Sequence, residues 1–234
     1  MPKSLEFRRV LFRSPERVVT VHEGIDVGRI DDTPAVNVHE ALFLPHGAPV
    51  VGNVAALVPH KGQRYLIEAA HLVVQKLPDT RFVILGEGEL REHLGHLVRE
   101  HHLEKHVLLP GFRTDVIGCI KGFDLFVMSS VTEGLGTSLL DAMACRKAIV
   151  GTTAGGIPEV VDAGQTGLLV EPRDAHALTD ALLRLLKDPV LRARMADAGY
   201  SRVRERFTVE RMVRETTAVY ERVARAPHLA DERL

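Results

Sequence analysis

The stretch DLFVMSSVTEGLGTSLLDAMACRKAIVGT, residues 124–152, contains a complete strand–turn–helix–strand unit. A continuously apolar run at 124–129 predicts a buried strand, residues 137–146 predict a helix, and a second apolar run follows at 148–152. Short strands that are apolar on both faces and joined through a helix are typical of a parallel sheet covered by helices. This unit therefore indicates an α/β fold.

The same alternation extends to both sides of this unit. Further strands are predicted at 49–57, 81–86, 106–110 and 167–170, and further helices at 62–77, 89–102, 114–121, 156–162 and 174–187. The pattern predicts a doubly wound parallel sheet (Rossmann-like) with right-handed crossovers, and residues 189–225 predict two C-terminal helices. Ligands bind such sheets at the carboxyl ends of the strands, so the turns after the strands are the candidate site.

Composition excludes several classes of protein. Hydrophobic residues make up 45% of the 234 residues and charged residues 26%, which suits a globular domain. The net charge of −1 with both signs interspersed argues against a nucleic-acid binder. No apolar run reaches the ~18 residues of a membrane helix. Cys119 and Cys145 show no metal or redox spacing, so we expect buried free thiols in a reducing cytoplasm, and no metal-ligand pattern occurs among the histidines.

The turn after the strand at 124–129 has the features of an anion site. Gly134 and Gly136 allow the backbone to approach a ligand closely. Thr137 or Ser138 is expected to cap the following helix, whose free N–H groups and dipole favour an anion such as a diphosphate.

Two carboxylates flank this turn. Asp141 has two open interpretations, because Ser138-x-x-Asp141 is also the pattern of a capping box. Glu133 lies before the glycines, cannot serve that cap and has no local partner in the sequence. A carboxylate beside an anion site suits sugar hydroxyls, since it only accepts hydrogen bonds.

Three other turns carry weaker signals. Lys61 is either a phosphate ligand or a solvated lysine at a helix start. Gly86-x-Gly88 is half of a dinucleotide fingerprint, but Arg91 occupies the place of its last glycine, which favours a tight turn into a helix. Arg113 is either solvated or close to a base or phosphate. Taken together, several such turns at one sheet edge point to a phosphorylated polyol as the ligand.

These residues occur in motifs that resemble a known family. The motifs are LVPHKG, LGEGE, PGFRTDV, SSVTEGLGTSLLDAMA, TTAGGIPEVV and TGLLVEPRD. Their order resembles the nucleotide-sugar-binding, C-terminal half of retaining GT-B glycosyltransferases of family 4, the glycosyl transferases group 1. The resemblance covers residues 17–225, and it implies an enzyme of carbohydrate biosynthesis that transfers a sugar from a nucleotide diphosphate-sugar with retention, without metal or cofactor.

The resemblance also implies roles for the residues of the turns. Glu133 and Lys61 would be the catalytic residues, with Glu133 facing the donor sugar and Lys61 binding the phosphates. Asp141 would hold the ribose hydroxyls. The other donor-binding residues implied are Gly134, Gly136, Thr137, Arg113 and Gly86.

The sequence departs from the family pattern at several positions. Asp141 stands where the second Glu of the E-x7-E motif is usual, and it is one methylene shorter. Ala55 and Ala56 stand where the family often has Gly-Arg, which removes one cation from the diphosphate site. Arg146 and Ala148 stand where Gly and Pro are common.

The resemblance further implies a domain organisation. Residues 1–16 match nothing and are either a foreign or truncated leader or an ordinary tail; 17–207 form the donor-binding domain; 208–225 form a helix that would cross to an N-terminal domain; 226–234 are a tail. The acceptor domain is expected to be missing, so the chain alone is expected to be inactive. We expect a cytoplasmic protein, either free or peripheral at the inner face of the membrane, with an acceptor that is a glycan, a lipid or a small molecule.

Three alternatives stay open at this point. The chain could be a donor-binding module that works with a separately encoded acceptor domain, or an epimerase-like protein that acts on sugar nucleotides. A nicotinamide-dependent Rossmann enzyme is disfavoured because the G-x-G-x-x-G fingerprint is broken.

Overall fold

The computed structural model describes residues 18–225 and contains a six-stranded, wholly parallel sheet within them. The strand order is β3-β2-β1-β4-β5-β6. The strands are β1 (Val50–Val54), β2 (Arg81–Leu85), β3 (Val107–Gly111), β4 (Leu125–Met128), β5 (Ile149–Thr152) and β6 (Gly167–Val170). The chain winds outward in one direction from β1 to β3 and in the other from β4 to β6. The topological switch point, where α/β sheets bind ligands, therefore lies between β1 and β4.

Helices cover both faces of this sheet. Those of the described part of the chain are α1 (Val27–Asp32), α2 (Val38–Ala41), α3 (Gln63–Lys76), α4 (Arg91–Glu100), α5 (Val116–Lys121), α6 (Thr137–Ala144), α7 (Ile157–Val160), α8 (Ala175–Lys187), α9 (Pro189–Arg206) and α10 (Val209–Arg225). A short 3₁₀ turn, Pro59–Lys61, connects β1 to α3.

The side chains of strand β2 alternate between two hydrophobic cores, one on each face of the sheet. Phe82 and Ile84 pack on the face covered by α3, α4, α8 and the first half of α9. Val83 and Leu85 pack on the face covered by α1, α2, α5, α6, α7 and the second half of α9. All four side chains are at most 1% exposed. Each contributes roughly 1.5–3 kcal/mol by burial. The continuously apolar sequence of the strand thus follows from a sheet that is covered on both sides.

The predicted doubly wound α/β sheet is confirmed, as are the six strands and the two C-terminal helices, with bounds that differ by a few residues. The sequence pattern did not predict α1 and α2. Both are too short to show a helical period, and they are fixed instead by side-chain caps: Asp26 accepts a hydrogen bond from the N–H of Arg29, and Asn37 accepts one from the N–H of Glu40.

The structure also bears on the expectations for the two cysteines and for membrane helices. Cys119 and Cys145 are buried free thiols, and burial raises the pKa of both, that of Cys145 to about 12. Within residues 18–225, no helix combines the length and the apolar character that crossing a membrane requires. The predictions for residues 1–16 and for the tail after residue 225 lie outside the described residues.

Candidate functional site

The loops after β1 and β4 meet at the switch point. The N–H of Val131 donates a hydrogen bond of 2.8 Å to the carbonyl oxygen of His60, and the hydroxyl of Ser129 donates one of 3.1 Å to the carbonyl oxygen of Lys61. These contacts join segments about 70 positions apart in the chain. They bring Lys61 and Glu133 to the same point of the sheet edge.

Lys61 and Glu133 form an ion pair there. The Lys61 Nζ donates to both carboxylate oxygens of Glu133, at 2.9 Å and 2.7 Å. The side chains are 19% and 9% exposed, so the pair is largely withdrawn from water. Ser130 Oγ adds a third hydrogen bond to Glu133, at 2.8 Å. The expectation that Glu133 has no local partner is therefore wrong, and so is the alternative of a solvated Lys61.

The loop after β5 packs directly against the turn that contains Glu133. The N–H of Gly156 donates to the carbonyl oxygen of Gly134 at 2.8 Å. A Cβ on Gly155 would overlap the carbonyl oxygen of Glu133, and a Cβ on Gly156 would overlap that of Gly134. The two glycines thus let two loop backbones touch, which fixes the position of the Glu133 carboxylate.

Helix α6 begins directly after this turn. Gly136, at φ +83°, is its N-cap, and no side chain of the described residues caps the helix. The predicted cap by Thr137 or Ser138 and the capping box of Ser138 with Asp141 are therefore wrong. The Thr137 hydroxyl instead donates to Glu23 at 3.1 Å. The N–H of Leu139 donates to the carbonyl oxygen of Gly136 at 2.8 Å, whereas the N–H groups of Thr137 and Ser138 have no partner among the described residues.

Asp141 lies one helical turn beyond Thr137, on the same face of α6. Burial raises the pKa of its carboxyl to about 6; the charge of Arg29 lowers that pKa and the charge of Glu23 raises it. Among residues 18–225, no side-chain hydrogen bond to Asp141 is formed. Since the capping box does not form, Asp141 is a largely buried acid without a structural partner.

Arg113 and Gly86 lie in a separate cavity of about 380 Å³ at the same edge, which Ala55, Ala56 and the 71% exposed Phe112 also line. Arg113 is paired with Asp115 at 2.6 Å and 2.7 Å, and this hydrogen bonding raises the pKa of Arg113 and lowers that of Asp115.

The structure therefore divides the predicted site residues into two groups. Lys61, Glu133, Gly134, Gly136, Thr137 and Asp141 lie on two loops that touch and on the helix that follows. Within the part of the chain that the structure describes, no hydrogen bond or ion pair links Arg113 to this group.

Sequence reasoning missed two residues of the site. Ser130 could have been found, because a hydroxyl three residues before a carboxylate can turn back to it. Glu23 carries no local signal, since it reaches Thr137 across more than a hundred positions. In residues 18–225, no three His, Cys, Asp or Glu side chains come together in a way that could hold a metal ion.

Comparison with known proteins identifies the class to which this fold and site belong. The model of the family "Glycosyl transferases group 1" matches residues 37–202. The chain is therefore a member of that family.

Two curated relatives illustrate the match. A GDP-mannose-dependent monoacylated alpha-(1-6)-phosphatidylinositol monomannoside mannosyltransferase from Corynebacterium glutamicum is 33% identical over 208 residues, which are 84% of this chain and 54% of the relative. A poly(ribitol-phosphate) alpha-N-acetylglucosaminyltransferase from Staphylococcus aureus is 29% identical over 75% of this chain and 36% of its own. The chain thus spans about a third to a half of the length of these relatives.

Solved structures show the same fold. Anabaena HepE in complex with UDP superposes with a TM-score of 0.82 at 23% identity, covering 89% of this chain and 58% of HepE. The C-terminal domain of the group 1 glycosyl transferase LpcC from Francisella tularensis has a TM-score of 0.70 at 29% identity. That match covers 80% of this chain and all of the LpcC domain. The fold is thus the Rossmann-like half of a GT-B glycosyltransferase.

Proposed function

We propose that residues 18–225 form the donor-binding domain of a retaining glycosyltransferase, which transfers a sugar from a nucleotide diphosphate-sugar to an acceptor. The observation that carries this proposal is the Lys61–Glu133 ion pair beside the uncapped start of α6. It places a cation, a carboxylate and free N–H groups at one sheet edge. The family match favours this function over an epimerase or a nicotinamide-dependent enzyme.

The diphosphate of the donor would bind between Lys61 and the start of α6. Lys61 brings three N–H donors, of which two already bond to the Glu133 carboxylate. The first N–H groups of α6 add backbone donors and the positive end of the helix dipole. No atom of the described residues, apart from the chain neighbours of Gly134, lies within 4 Å of a Cβ built on Gly134, so a ligand can approach the backbone there.

The same groups would assist the transfer. Negative charge develops on the diphosphate as the bond to the sugar breaks, and fixed donors in a partly dry site stabilise that charge. Lys61 and the N–H groups of α6 are held in place before the reaction, so they need little rearrangement. Their contribution would be to lower the energy of the leaving group.

Glu133 and Asp141 would hold the neutral parts of the donor. Glu133, fixed by Ser130 and by the loop after β5, would accept hydrogen bonds from sugar hydroxyls. Asp141 lies on the Thr137 face of α6 and has free acceptor oxygens for the ribose hydroxyls. Each hydrogen bond to a charged group is worth ~1.5–3 kcal/mol.

A second candidate is a donor-binding module that acts with a separately encoded acceptor domain. Helix α10 favours it, because none of its residues is buried while Val213, Tyr220 and Val223 are more than half exposed. In both candidates we propose that the acceptor binds to a domain other than residues 18–225. Since the chain spans about half the length of the mannosyltransferase relative, we expect nucleotide binding without efficient transfer by the chain alone.

Saturation-transfer NMR with UDP-glucose, GDP-mannose and ADP-glucose would test the proposed pose. For the donor that binds, we expect signals on the base, ribose and sugar protons of the same molecule. Glu133→Gln should weaken the sugar signals selectively, and Asp141→Asn the ribose signals. Equal loss in all three groups of protons, or no signal with any donor, would contradict the assignment of roles.

A further inference from the structure

A second basic site lies next to the Lys61–Glu133 pair. It is a cavity of about 470 Å³ above the first turn of α3, between the start of α4 and the turn that precedes α8. His60, Arg64, His93 and Arg173 line it, and no aspartate or glutamate of residues 18–225 does. Cavities of this size accept small organic ligands. Its lining therefore suits an anion.

Most of the basic side chains of this cavity lack a hydrogen-bond or ion-pair partner among the described residues. Within residues 18–225, His60, His93 and Arg173 make no side-chain hydrogen bond or ion pair. Arg64 forms an ion pair with Glu68, one helical turn away, at 3.1 Å, and its guanidinium lies 5.5 Å from the centre of the Tyr65 ring. Both side chains of that pair are partly exposed, at 55% and 29%, and such pairs contribute only ~0.3–0.5 kcal/mol. A ligand with a stronger negative charge can therefore compete for Arg64.

Arg173 is held at the cavity by an unusual backbone conformation. Its φ is +68°, a left-handed value that costs a non-glycine residue of order 1 kcal/mol or more. Neither an ion pair nor a hydrogen bond of its side chain to another described residue offsets this cost. The strained residue thus presents a free guanidinium at the rim of the cavity.

The rest of the lining suits the carbon part of such a ligand. Tyr65, Leu90 and Val131 supply apolar surface, and Thr132 supplies a hydroxyl. Guanidinium groups bind phosphate with two parallel hydrogen bonds, and imidazoles add N–H donors. In a phosphorylated short polyol, the phosphate can bind the basic side chains of the cavity, and the polyol can contact its apolar side chains and its hydroxyl.

We propose that this cavity binds a phosphorylated polyol through Arg64 and Arg173, at a site separate from Lys61. The phosphate belongs either to a free small molecule or to the head group of an anionic lipid, since both present the same chemistry. The proposal rests on the cavity alone and does not depend on what Lys61 and Glu133 bind. The backbone hydrogen bonds between His60 and residues 131–132 join the two sites directly, so a ligand here lies beside Glu133.

The test uses the full 234-residue chain and two probes. Glycerol 3-phosphate is titrated by calorimetry, and vesicles of phosphatidylglycerol in phosphatidylcholine are tested by co-sedimentation against vesicles of phosphatidylcholine alone. We expect saturable binding to at least one probe. Binding of glycerol 3-phosphate would identify a free phosphate compound as the source, and binding confined to phosphatidylglycerol vesicles would identify a lipid head group.

Matched variants locate the binding. Arg64→Gln and Arg173→Gln together should weaken it by roughly tenfold or more, whereas Glu68→Gln, which frees Arg64, should strengthen it. Arg184→Gln, an exposed arginine on α8 outside the cavity, is the control and should change nothing. Lys61→Ala should leave phosphate binding intact while it weakens nucleotide binding.

Three results would overturn the proposal. The first is that neither probe binds above the phosphatidylcholine background. The second is that the double variant, shown by circular dichroism to be folded, binds as well as the wild type. The third is that Lys61→Ala alone abolishes binding. In each case the wild-type donor site can still bind nucleotide, so failure here is distinguishable from failure of the proposed function.

Discussion

Two turns at the carboxyl edge of the sheet carry glycines at the same spacing, Gly86-x-Gly88 after β2 and Gly134-x-Gly136 after β4. In the first turn, a Cβ on either glycine would run into protein backbone, because Gly86 packs on the carbonyl oxygen of Ala55 and Gly88 on that of Leu57. In the second turn, no atom of the described residues lies within 4 Å of a Cβ built on Gly134. Gly136 sets the left-handed start of α6, and a Cβ there would meet only side chains, Leu139 at 3.1 Å and Met128 at 3.2 Å. Protein backbone fills the Cβ positions of the first turn, although Gly86 also lines the cavity of Arg113, whereas the Cβ position of Gly134 in the second turn leaves room for a ligand.

The two turns lie at the same sheet edge, but the glycines of the first serve packing and those of the second are free to serve ligand binding. The spacing of glycines alone does not distinguish a packed turn from a ligand-binding turn. The surroundings do: the open turn has the Lys61–Glu133 ion pair on one side and the partly buried Asp141 on the other, and Asp141 has no side-chain hydrogen bond among the described residues.

The largest effect, on the free energy of unfolding, should come from adding a side chain to the packed turn after β2. Gly86→Ala places a Cβ against the carbonyl oxygen of Ala55 at φ +138°, so we expect a loss of roughly 2–4 kcal/mol in the free energy of unfolding. Gly134→Ala should change it by less than about 0.5 kcal/mol. Urea denaturation of both variants measures the difference. Similar losses at the two positions would remove the distinction between the turns.

A smaller effect concerns the buried acid of the open turn. The pKa of Asp141 is raised from its usual 3.8 to about 6 by burial, so the folded protein binds this proton more tightly than the unfolded chain does. Wild-type stability should therefore fall as the pH rises from about 4 to about 6, and the loss should persist above that range. Asp141→Asn, which cannot ionise, should be more stable than wild type by ~1–3 kcal/mol at pH 8 and nearly equal to it at pH 4.

Chemical denaturation at the two pH values checks this prediction. Ser138→Asn, about one turn before Asp141 in the same helix, is the control for a change of polar side chain. A stability difference between wild type and Asp141→Asn that is the same at both pH values would contradict the raised pKa.

Crowding the open turn should affect binding more than stability. Gly134→Val adds a side chain where the structure has space, so the nucleotide affinity should fall by about tenfold, or 1.4 kcal/mol, with little change in the unfolding midpoint. Gly95→Val on α4, away from both turns, serves as the control. Unchanged nucleotide affinity in the Gly134 variant would show that no ligand approaches that backbone.

The smallest effect should come from Glu23. Its carboxylate accepts a hydrogen bond from Thr137 at the start of α6, where it adds negative charge beside the proposed diphosphate. Glu23→Gln should therefore strengthen nucleotide binding by about twofold to threefold, with a larger gain at low salt than at high salt. Weaker binding would instead assign Glu23 a direct role in holding the ligand.

Much of this architecture follows from local sequence pattern. Strand β2 could be predicted because four consecutive apolar residues record a sheet that is covered on both faces. Helices α1 and α2 could not, since their few residues show no period and their stability comes from caps and from packing of Ile30 and Val38.

The site was predictable in its residues but less so in its contacts. Lys61 and Glu133 were both singled out, yet their ion pair depends on loops that meet only when β1 and β4 become neighbours. The capping box failed because Gly136, and not a side chain, starts α6. The cavity with Arg173 had no sequence signal at all, because its lining comes from four separate segments.

The most direct test of the central claim is calorimetric titration of the full chain with UDP, GDP and ADP, beside Lys61→Ala and Asp141→Ala. The proposed donor site predicts saturable binding of one of these nucleotides, weakened by roughly tenfold or more in each variant. Failure of all three nucleotides to bind, or equal affinity for the wild type and both variants, would contradict a donor site at Lys61 and Asp141.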